Sequence, residues 1–201
     1  MATGFLEVQG FTAALCAIDS MCKTAAIRLL AVDANNTADD SKAAVPVVVQ
    51  IKFEGGVADV DAALQAGNDA ALKTLPPEAL LAHRIPSGSS RLAPLLKSGK
   101  LPPAKAAALD RKPPAALGVL DVQFFPNAVL ALDNMLNHGM VELVSIKKYL
   151  GGRIVTLIVG GSSSDAKAAV DAAREQFSGC PALKNSAVIT NPHQELFRFL
   201  G

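Results

Sequence analysis

Residues 118–161 read GVLDVQFFPNAVLALDNMLNHGMVELVSIKKYLGGRIVTLIVGG. This stretch predicts a strand, a helix, a second strand, a short glycine loop and a third strand. Most of the pattern also occurs earlier in the chain, because residues 4–32 align with it at a constant offset of 114 positions. Glycine, apolar and acidic residues stay in phase: Gly4 aligns with Gly118, Leu6 with Leu120, Asp19 with Asp133 and Met21 with Met135. A fixed offset of this kind indicates a duplicated domain.

The composition fits two small domains with aliphatic cores. A chain of 201 residues suits one large domain or two small ones, and the duplication favours two domains of roughly 90 residues each. Half of the residues are hydrophobic, but only 4% are aromatic and none is Trp. Because small aliphatic side chains each bury little area, such thin domains would gain from packing against each other and against other subunits.

The charge pattern excludes several classes of function. The formal net charge is +1, and basic residues do not cluster with aromatic ones, so we expect no nucleic-acid partner. No basic segment of the kind that begins a secretory signal precedes Lys23. No apolar run approaches the ~18 residues of a membrane span. Three cysteines do not make a disulfide framework. We therefore expect a cytoplasmic protein with no membrane association.

Both copies predict the same βαββαβ order, which is an α/β (α+β) fold of the ferredoxin-like kind. Predicted strands lie at residues 5–8, 27–32, 47–53 and 80–85, and again at 117–122, 141–146, 154–159 and 187–189; predicted helices start at Thr12 and span 57–72, 126–136 and 165–177. Residues 94–115 are rich in Pro and Lys and would form a linker, since prolines interrupt helices and ladders. The predicted domains are thus 1–93 and 116–201. The apolar C-terminal residues 196–200 should pack against the protein.

The copies diverge in one loop. Downstream of it the offset falls to 106 positions, as in the pair Asp59 and Asp165, so the first copy holds 8 extra residues between its second and third strands. The diverging segments are residues 33–46 in the first copy and 147–153 in the second. Function tends to lie on loops that a rigid scaffold carries.

An ordered set of short sequence strings, which occurs twice along the chain, resembles the bacterial microcompartment (BMC) shell domain. They are GFLEV at residues 4–8, AIDSMCK at 17–23, HRIP at 83–86, IVTLIVGG at 154–161 and VITNPH at 188–193. The resemblance covers nearly the whole chain outside the linker. Two BMC domains in one chain resemble the tandem shell proteins, in an unpermuted order similar to the propanediol-utilisation type. That implies a homotrimer that mimics a hexagonal tile, joined laterally to other shell proteins in a microcompartment shell, with a central pore for small metabolites.

The resemblance also implies a set of pore-lining residues, because the diverging loops face the central pore in this family. The implied pore residues are Asp33, Asp39, Asp40, Ser41 and Lys42 in the first copy and Lys147, Lys148, Tyr149, Leu150, Gly151, Gly152 and Arg153 in the second. The two loops differ in charge, and threefold symmetry would repeat each charge as a ring that selects permeants. Charges that merely pair with one another on solvated loops are an equally weighted alternative.

The resemblance implies tile-edge residues too. The family's edge lysine matches Lys23, and Asn137 stands at the equivalent place in the second copy. Ser87 and Asn191 stand where the family has an edge arginine, which leaves the strength of lateral packing open. His83 and His193 lie near corresponding ends of the two copies, which favours a structural or edge role for both.

No arrangement of residues predicts catalysis, a metal site or a cofactor. Cys16 and Cys22 are six positions apart on one helix, so they cannot bind one ion together, and we expect buried apolar thiols. Cys180 should be a free thiol in a loop. Neither predicted pore loop contains a cysteine, so the iron–sulfur cluster of some tandem shell proteins is not expected here.

A second function stays open on the sequence alone. A tandem ferredoxin-like module that binds a small metabolite between its domains, as ACT-type regulatory domains do, has the same order of elements, and fold does not fix function. Such a module should gain stability from a ligand and should not assemble laterally.

Overall fold

The computed structural model describes residues 1–37, 45–87, 96, 113–149 and 153–200. The first domain consists of β1 (Ala2–Gln9), α1 (Phe11–Thr24), β2 (Arg28–Asn36), β3 (Val47–Gly55), α2 (Val57–Ala71), a 3-10 turn (Pro77–Ala79) and β4 (Leu80–Ile85). The second consists of β5 (Ala116–Gln123), α3 (Phe125–His138), β6 (Glu142–Tyr149), β7 (Ile154–Gly161), α4 (Ser163–Gln176), β8 (Leu183–Thr190) and a short C-terminal α5 (Gln194–Phe197). Apart from Leu96 and residues 113–115, the predicted linker lies outside the described residues.

The two domains have the same sheet topology. The first sheet has the order β2-β3-β1-β4 and the second has the order β6-β7-β5-β8, with every neighbouring pair antiparallel. The equivalent registers, such as Glu7 opposite Gln50 and Asp121 opposite Thr156, follow the two sequence offsets. The predicted duplication of a βαββαβ unit is confirmed.

Two strands run further than the sequence predicts. β2 continues to Asn36, where that residue pairs with Val47 of β3, and β6 continues to Tyr149, which pairs with Ile154 of β7. Asp33, Lys147, Lys148 and Tyr149 therefore lie on strands, and the prediction that they lie in loops is wrong. The polar residues favour turns locally, but the ladder hydrogen bonds to the neighbouring strand prevail.

Each sheet packs its helices on one face. In β1 the side chains of Leu6 and Val8 are buried under α1 and α2, while Phe5 and Glu7 on the other face are half-buried. β5 and β7 of the second sheet are instead buried along nearly their whole length. The alternating burial in β1 is that of a sheet covered on one side, and the continuous burial in β5 and β7 is that of a sheet covered on both.

The C-terminus supplies part of the second cover. Leu196, Phe199 and Leu200 are each at most 3% exposed and belong to the same core as α1. The prediction that the apolar C-terminal residues pack is confirmed. None of the helices in the described part of the chain is both long enough and apolar enough to cross a bilayer.

Gly4 provides a test of the first domain's packing. A Cβ added at Gly4 would overlap the ring of Phe53, which is fully buried. We expect Gly4→Ala to lower the free energy of unfolding by about 1–3 kcal/mol through overpacking, measured by urea denaturation at fixed chain concentration. The exposed Gln65→Ala on α2 is the control and should change it by less than about 0.5 kcal/mol. Equal stability of the two variants would contradict the close packing at Gly4.

Candidate functional site at the domain seam

The domains meet where α1 of the first domain lies on the second sheet. Apolar side chains of α1, including Phe11, Leu15 and Ile18, form one continuous core with Leu117 and Val119 of β5. We call this contact the domain seam. α3 and α4 cover the other face of the same sheet. The helix α1 is therefore enclosed between the two sheets.

A buried carboxylate joins the two domains at the start of α1. Asp121 of β5 is fully buried, and its Oδ2 accepts a hydrogen bond from the backbone N–H of Thr12 at 3.0 Å. Its Oδ1 accepts a hydrogen bond from Thr156 Oγ1 of β7 at 2.6 Å. Gly10, which precedes α1, has no side chain that could cap the helix, so Asp121 satisfies one of the free N–H groups of that helix from the other domain.

Burial sets the protonation of the groups around Asp121. Burial raises the pKa of the Asp121 carboxyl, against the smaller lowering effect of its bonds to Thr156 and Thr12. Burial also raises the pKa of the Cys16 thiol to about 12, and the charges of Asp19 and Asp121 act in the same direction. Since a protonated thiol is a weak nucleophile, Cys16 acts here as a packing residue.

A second polar cluster joins the domains at the C-terminal end of α1. Lys23 Nζ donates a hydrogen bond to Asp19 Oδ2 at 2.5 Å and another to the carbonyl oxygen of Thr190 on β8 at 2.9 Å. Asp19 Oδ1 accepts a hydrogen bond from the backbone N–H of His193 at 2.7 Å. His193 is also the N-cap of α5, because its Nδ1 accepts from the N–H of Glu195 at 3.3 Å. Two predicted tile-edge residues, Lys23 and His193, are thus linked through Asp19 within one chain.

A groove of about 360 Å³ runs along the seam between α1, the end of α2 and β8. Its polar lining includes Ser20, Lys23, Lys73 and Asn185. Asn185 Nδ2 donates a hydrogen bond to Thr74 Oγ1 at 3.3 Å, which is a further polar contact between the domains. Among the described residues, no group of three or more His, Cys, Asp or Glu side chains is placed to hold a metal ion.

The predicted pore residues of the first copy are described only at Asp33. Asp33 is buried on β2, and its Oδ2 accepts a hydrogen bond from Lys52 Nζ of β3 at 3.0 Å. This ion pair offsets the charge of Asp33 locally. Asp39, Asp40, Ser41 and Lys42 fall in the range 38–44, outside the described residues.

The predicted pore residues of the second copy lie at the end of β6 and the start of β7. Burial lowers the pKa of Lys147. The ammonium of Lys148 lies 4.7 Å from the centre of the Phe125 ring. The ring of Tyr149 lies 5.9 Å from that of Phe11 at the domain seam, and burial raises the pKa of its hydroxyl. Arg153 is exposed, while Leu150, Gly151 and Gly152 lie outside the described residues.

The other predicted edge residues lie apart from the Lys23 cluster or at its margin. Asn137 is exposed on α3, and its Nδ2 donates to Asp133 Oδ2 at 3.3 Å. Asn191 directly follows β8 with a left-handed backbone (φ 45°), and its N–H donates to the carbonyl oxygen of Ala115 at 2.8 Å.

The two predicted edge histidines are not equivalent. His83 is exposed on β4 opposite Phe5 of β1, and the corresponding position of the second sheet, opposite Val119, is Ala187. His193 lies beyond the end of β8. His83 and His193 therefore both lie near the end of the last strand of their copy, but at positions that the strand register does not align.

Sequence reasoning missed the residues that hold the seam together, above all Asp121, Thr12 and Asp19. One signal was present: Asp121 is an acidic residue between Leu120 and Val122 in an otherwise apolar strand. A buried carboxylate needs hydrogen-bond partners, but one partner of Asp121, the N–H of Thr12, comes from the other domain and cannot be identified from local spacing.

The first helix of each domain is exposed to very different extents. Phe11 and Leu15 of α1 are 2% and 1% exposed, whereas the equivalent Phe125 and Val129 of α3 are 46% and 50% exposed. α3 therefore carries an apolar face that the described part of the chain leaves about half exposed. In the same part of the chain, the outer face of β1 is only half-buried, whereas the second sheet is covered there by α1.

Asp121 is testable through pH because its pKa is raised in the folded chain. The contribution of Asp121 to the free energy of unfolding is fully present below about pH 4, and it is lost as the pH rises through the pKa of Asp121 in the folded chain. Asp121→Asn removes the titration and keeps an acceptor for Thr12. We expect the melting temperature of Asp121→Asn, relative to the wild type, to rise between about pH 4 and pH 8.

Asp121→Ala is the matched variant, because it removes the charge and the acceptor together. It should be less stable than Asp121→Asn by about 1–2 kcal/mol, the typical cost of losing a helix cap, in thermal or urea unfolding at the same pH. A difference between Asp121→Asn and the wild type that does not change with pH would contradict the buried, titrating carboxylate.

Comparison with known proteins identifies the family. A family model described as the BMC domain matches the chain twice, over residues 2–87 and 116–192. The carboxysome shell protein CcmK2 of Synechocystis sp. is 36% identical over 84 residues, which are 40% of this chain and 80% of that protein. The microcompartment shell protein PduA of Salmonella typhimurium is 33% identical over 85 residues, which are 42% of this chain and 89% of that protein.

A solved structure shares the fold over most of the chain. The trimeric bacterial microcompartment shell protein PduB matches with a TM-score of 0.58 and 18% sequence identity, over 88% of this chain and 79% of that chain. Together with the two matches to the family model, which cover both sheets and all four long helices, this shows that the chain belongs to the BMC-domain family of microcompartment shell proteins and carries two BMC domains in tandem.

Proposed function

We propose that this protein is a structural tile of a bacterial microcompartment shell, formed by three copies that place six BMC domains around a central pore. The observation that carries the proposal is the unequal covering of the two domains. α1 is enclosed by the second sheet of its own chain. In the described part of the chain the equivalent helix α3 is instead about half exposed at Phe125 and Val129, and the equivalent face of β1 is only half-buried. The chain thus presents the two halves of a seam that it does not close by itself.

The uncovered halves favour a closed ring. The domain seam is head-to-tail, since a helix of one domain lies on the sheet of the next, and head-to-tail contacts between copies generate either rings or open filaments. If α3 of one copy docks on the first sheet of the next, the contact repeats the geometry of the domain seam. Six domains related in this way make a pseudohexagonal trimer.

The relatives support a structural role. The shell proteins CcmK2 and PduA each match a single domain's length of this chain, and PduB, described as trimeric, shares the fold. The family match over both halves favours the shell role over the ACT-type regulatory module. The tile would lie in the shell, in lateral contact with other shell proteins.

The pore would be lined by the ends of β2 and β6 and by the segments that follow them. Lys148 and Arg153 are exposed cations there, whereas Asp33 is neutralised locally by Lys52. Among the described residues of the proposed pore, the positive charge of the second copy would therefore dominate. Such rings of charge select among small metabolites.

The proposal is tested by the solution mass of the full chain. Light scattering should give three times the 20.8 kDa chain mass, or a multiple of that if tiles assemble further. Negative-stain images of the same fraction should show particles of hexagonal outline or sheets built from them. A monodisperse monomer at micromolar concentration would contradict the ring and, with it, the pore assignment.

A further inference from the structure

We propose that an aromatic anchor made of Phe124 and Phe125 closes the seam between copies, and that this anchor cannot take the place of the polar contact at the domain seam, where Asp121 caps α1. The partner is a second copy of this chain, through the uncovered face of its first sheet. The inference rests on the proposed ring. It adds the chemistry that determines on which of the two sheets each helix can dock.

Phe124 has a backbone conformation that side-chain-bearing residues rarely adopt. Its φ is 68° and its ψ is 133°, and the equivalent residue before α1 is Gly10, with φ 86°. The same turn imposes this geometry in both copies, because Gly10 N–H donates to Val47 O and Phe124 N–H donates to Arg153 O, each at 2.8 Å. Glycine adopts such a backbone without a Cβ penalty, so a phenylalanine there needs a compensating gain.

Burial within the described part of the chain does not supply that gain, although the ammonium of Lys148 lies 4.7 Å from the centre of the Phe125 ring. The side chains of Phe124 and Phe125 are 45% and 46% exposed, side by side at the start of α3. Phe11, the counterpart of Phe125, is enclosed at the domain seam with 2% exposure. Large adjacent apolar side chains that stay exposed in a monomer indicate an interaction surface. Because Phe11 is covered by the sheet of the following domain, we expect Phe125 to be covered by the BMC sheet of the next domain in the ring.

The start of α3 does not fit the second sheet, which carries Asp121. At the domain seam a Cβ on Gly10 would already lie 3.3 Å from Asp121 Oδ2, so a full phenylalanine side chain would press on that carboxylate. Pro126 occupies the position equivalent to Thr12 and has no N–H to donate. Docking α3 on the second sheet would therefore bury Asp121 without the helix donor it requires, which is strongly unfavourable.

The first sheet fits the start of α3 instead. Glu7 stands at the position of Asp121, and its Oε2 already accepts a hydrogen bond from Gln50 Nε2 at 2.8 Å. Glu7 thus has a hydrogen-bond partner on its own sheet, and no helix N–H contacts it in the described part of the chain. Beside it lie the half-buried Phe5 and the 55% exposed Leu81, which offer apolar contact to Phe124 and Phe125. The start of α3 is thus incompatible with the second sheet and compatible with the first sheet. This selectivity determines which domains are neighbours in the ring.

The test compares Phe124→Gly and Phe125→Ala with the wild-type full chain. Differently tagged trimers are mixed, and native mass spectrometry measures the half-time of subunit exchange. We expect each variant to shorten the half-time, or to raise the trimer dissociation constant, by at least about tenfold, as for other buried aromatic anchors. Far-UV circular dichroism at 25 °C should stay at the wild-type level, because Phe124→Gly relieves backbone strain.

The control is Val57→Ala on α2, which removes an apolar side chain of similar exposure (47%) from the first domain. Its exchange half-time should stay within about twofold of the wild type.

If the wild type forms trimers and both aromatic variants exchange at the wild-type rate, the anchor is overturned while the ring stands. If the wild type does not form trimers, the proposed function itself fails. A variant that loses its circular dichroism signal would overturn the anchor, since the aromatic side chain would then be a folding residue.

Discussion

The enclosure of α1 between two sheets is the constraint on which the rest of the structure depends. Ala13, Ala14 and Ala17 are at most 1% exposed, so both sheets approach the helix closely, as small side chains allow. Asp121 and Lys23 then hold the two ends of the helix to the second domain. Apolar burial provides most of the favourable free energy, and the polar contacts at the ends fix the orientation, since an unpaired buried carboxylate would be costly.

Duplication gives this constraint its wider consequence. The second domain carries the same helix in the same place, but the described part of the chain provides no further sheet to enclose it. The exposure of Phe125 and Val129 on α3 and the one-sided burial of β1 therefore have the same geometric cause. The residues at the two sites have diverged: Gly10, Thr12 and Asp121 lie at the contact within the chain, and Phe124, Pro126 and Glu7 stand at the equivalent positions.

The fold was predictable from the sequence to the level of element order, because the copies repeat apolar, acidic and glycine positions at fixed offsets. The ends of β2 and β6 were not predictable, since cross-strand pairing outweighs the local turn preference of residues such as Asp33. The seam was not predictable either. Thr12, the partner of Asp121 in the other domain, lies 109 positions away in sequence. The role of Lys23 at the seam likewise depends on Thr190 of the other domain. Those contacts arise only when the domains are packed together.

The central claim is that α3 is enclosed only between copies, whereas α1 is enclosed within each chain. Backbone hydrogen exchange of the two helices at several chain concentrations tests this most directly. Exchange at α3 (Phe125–His138) should slow by at least about tenfold as the chains assemble, while exchange at α1 (Phe11–Thr24) should be slow at every concentration. Protection of both helices that is independent of concentration, or that changes equally in both, would contradict the claim.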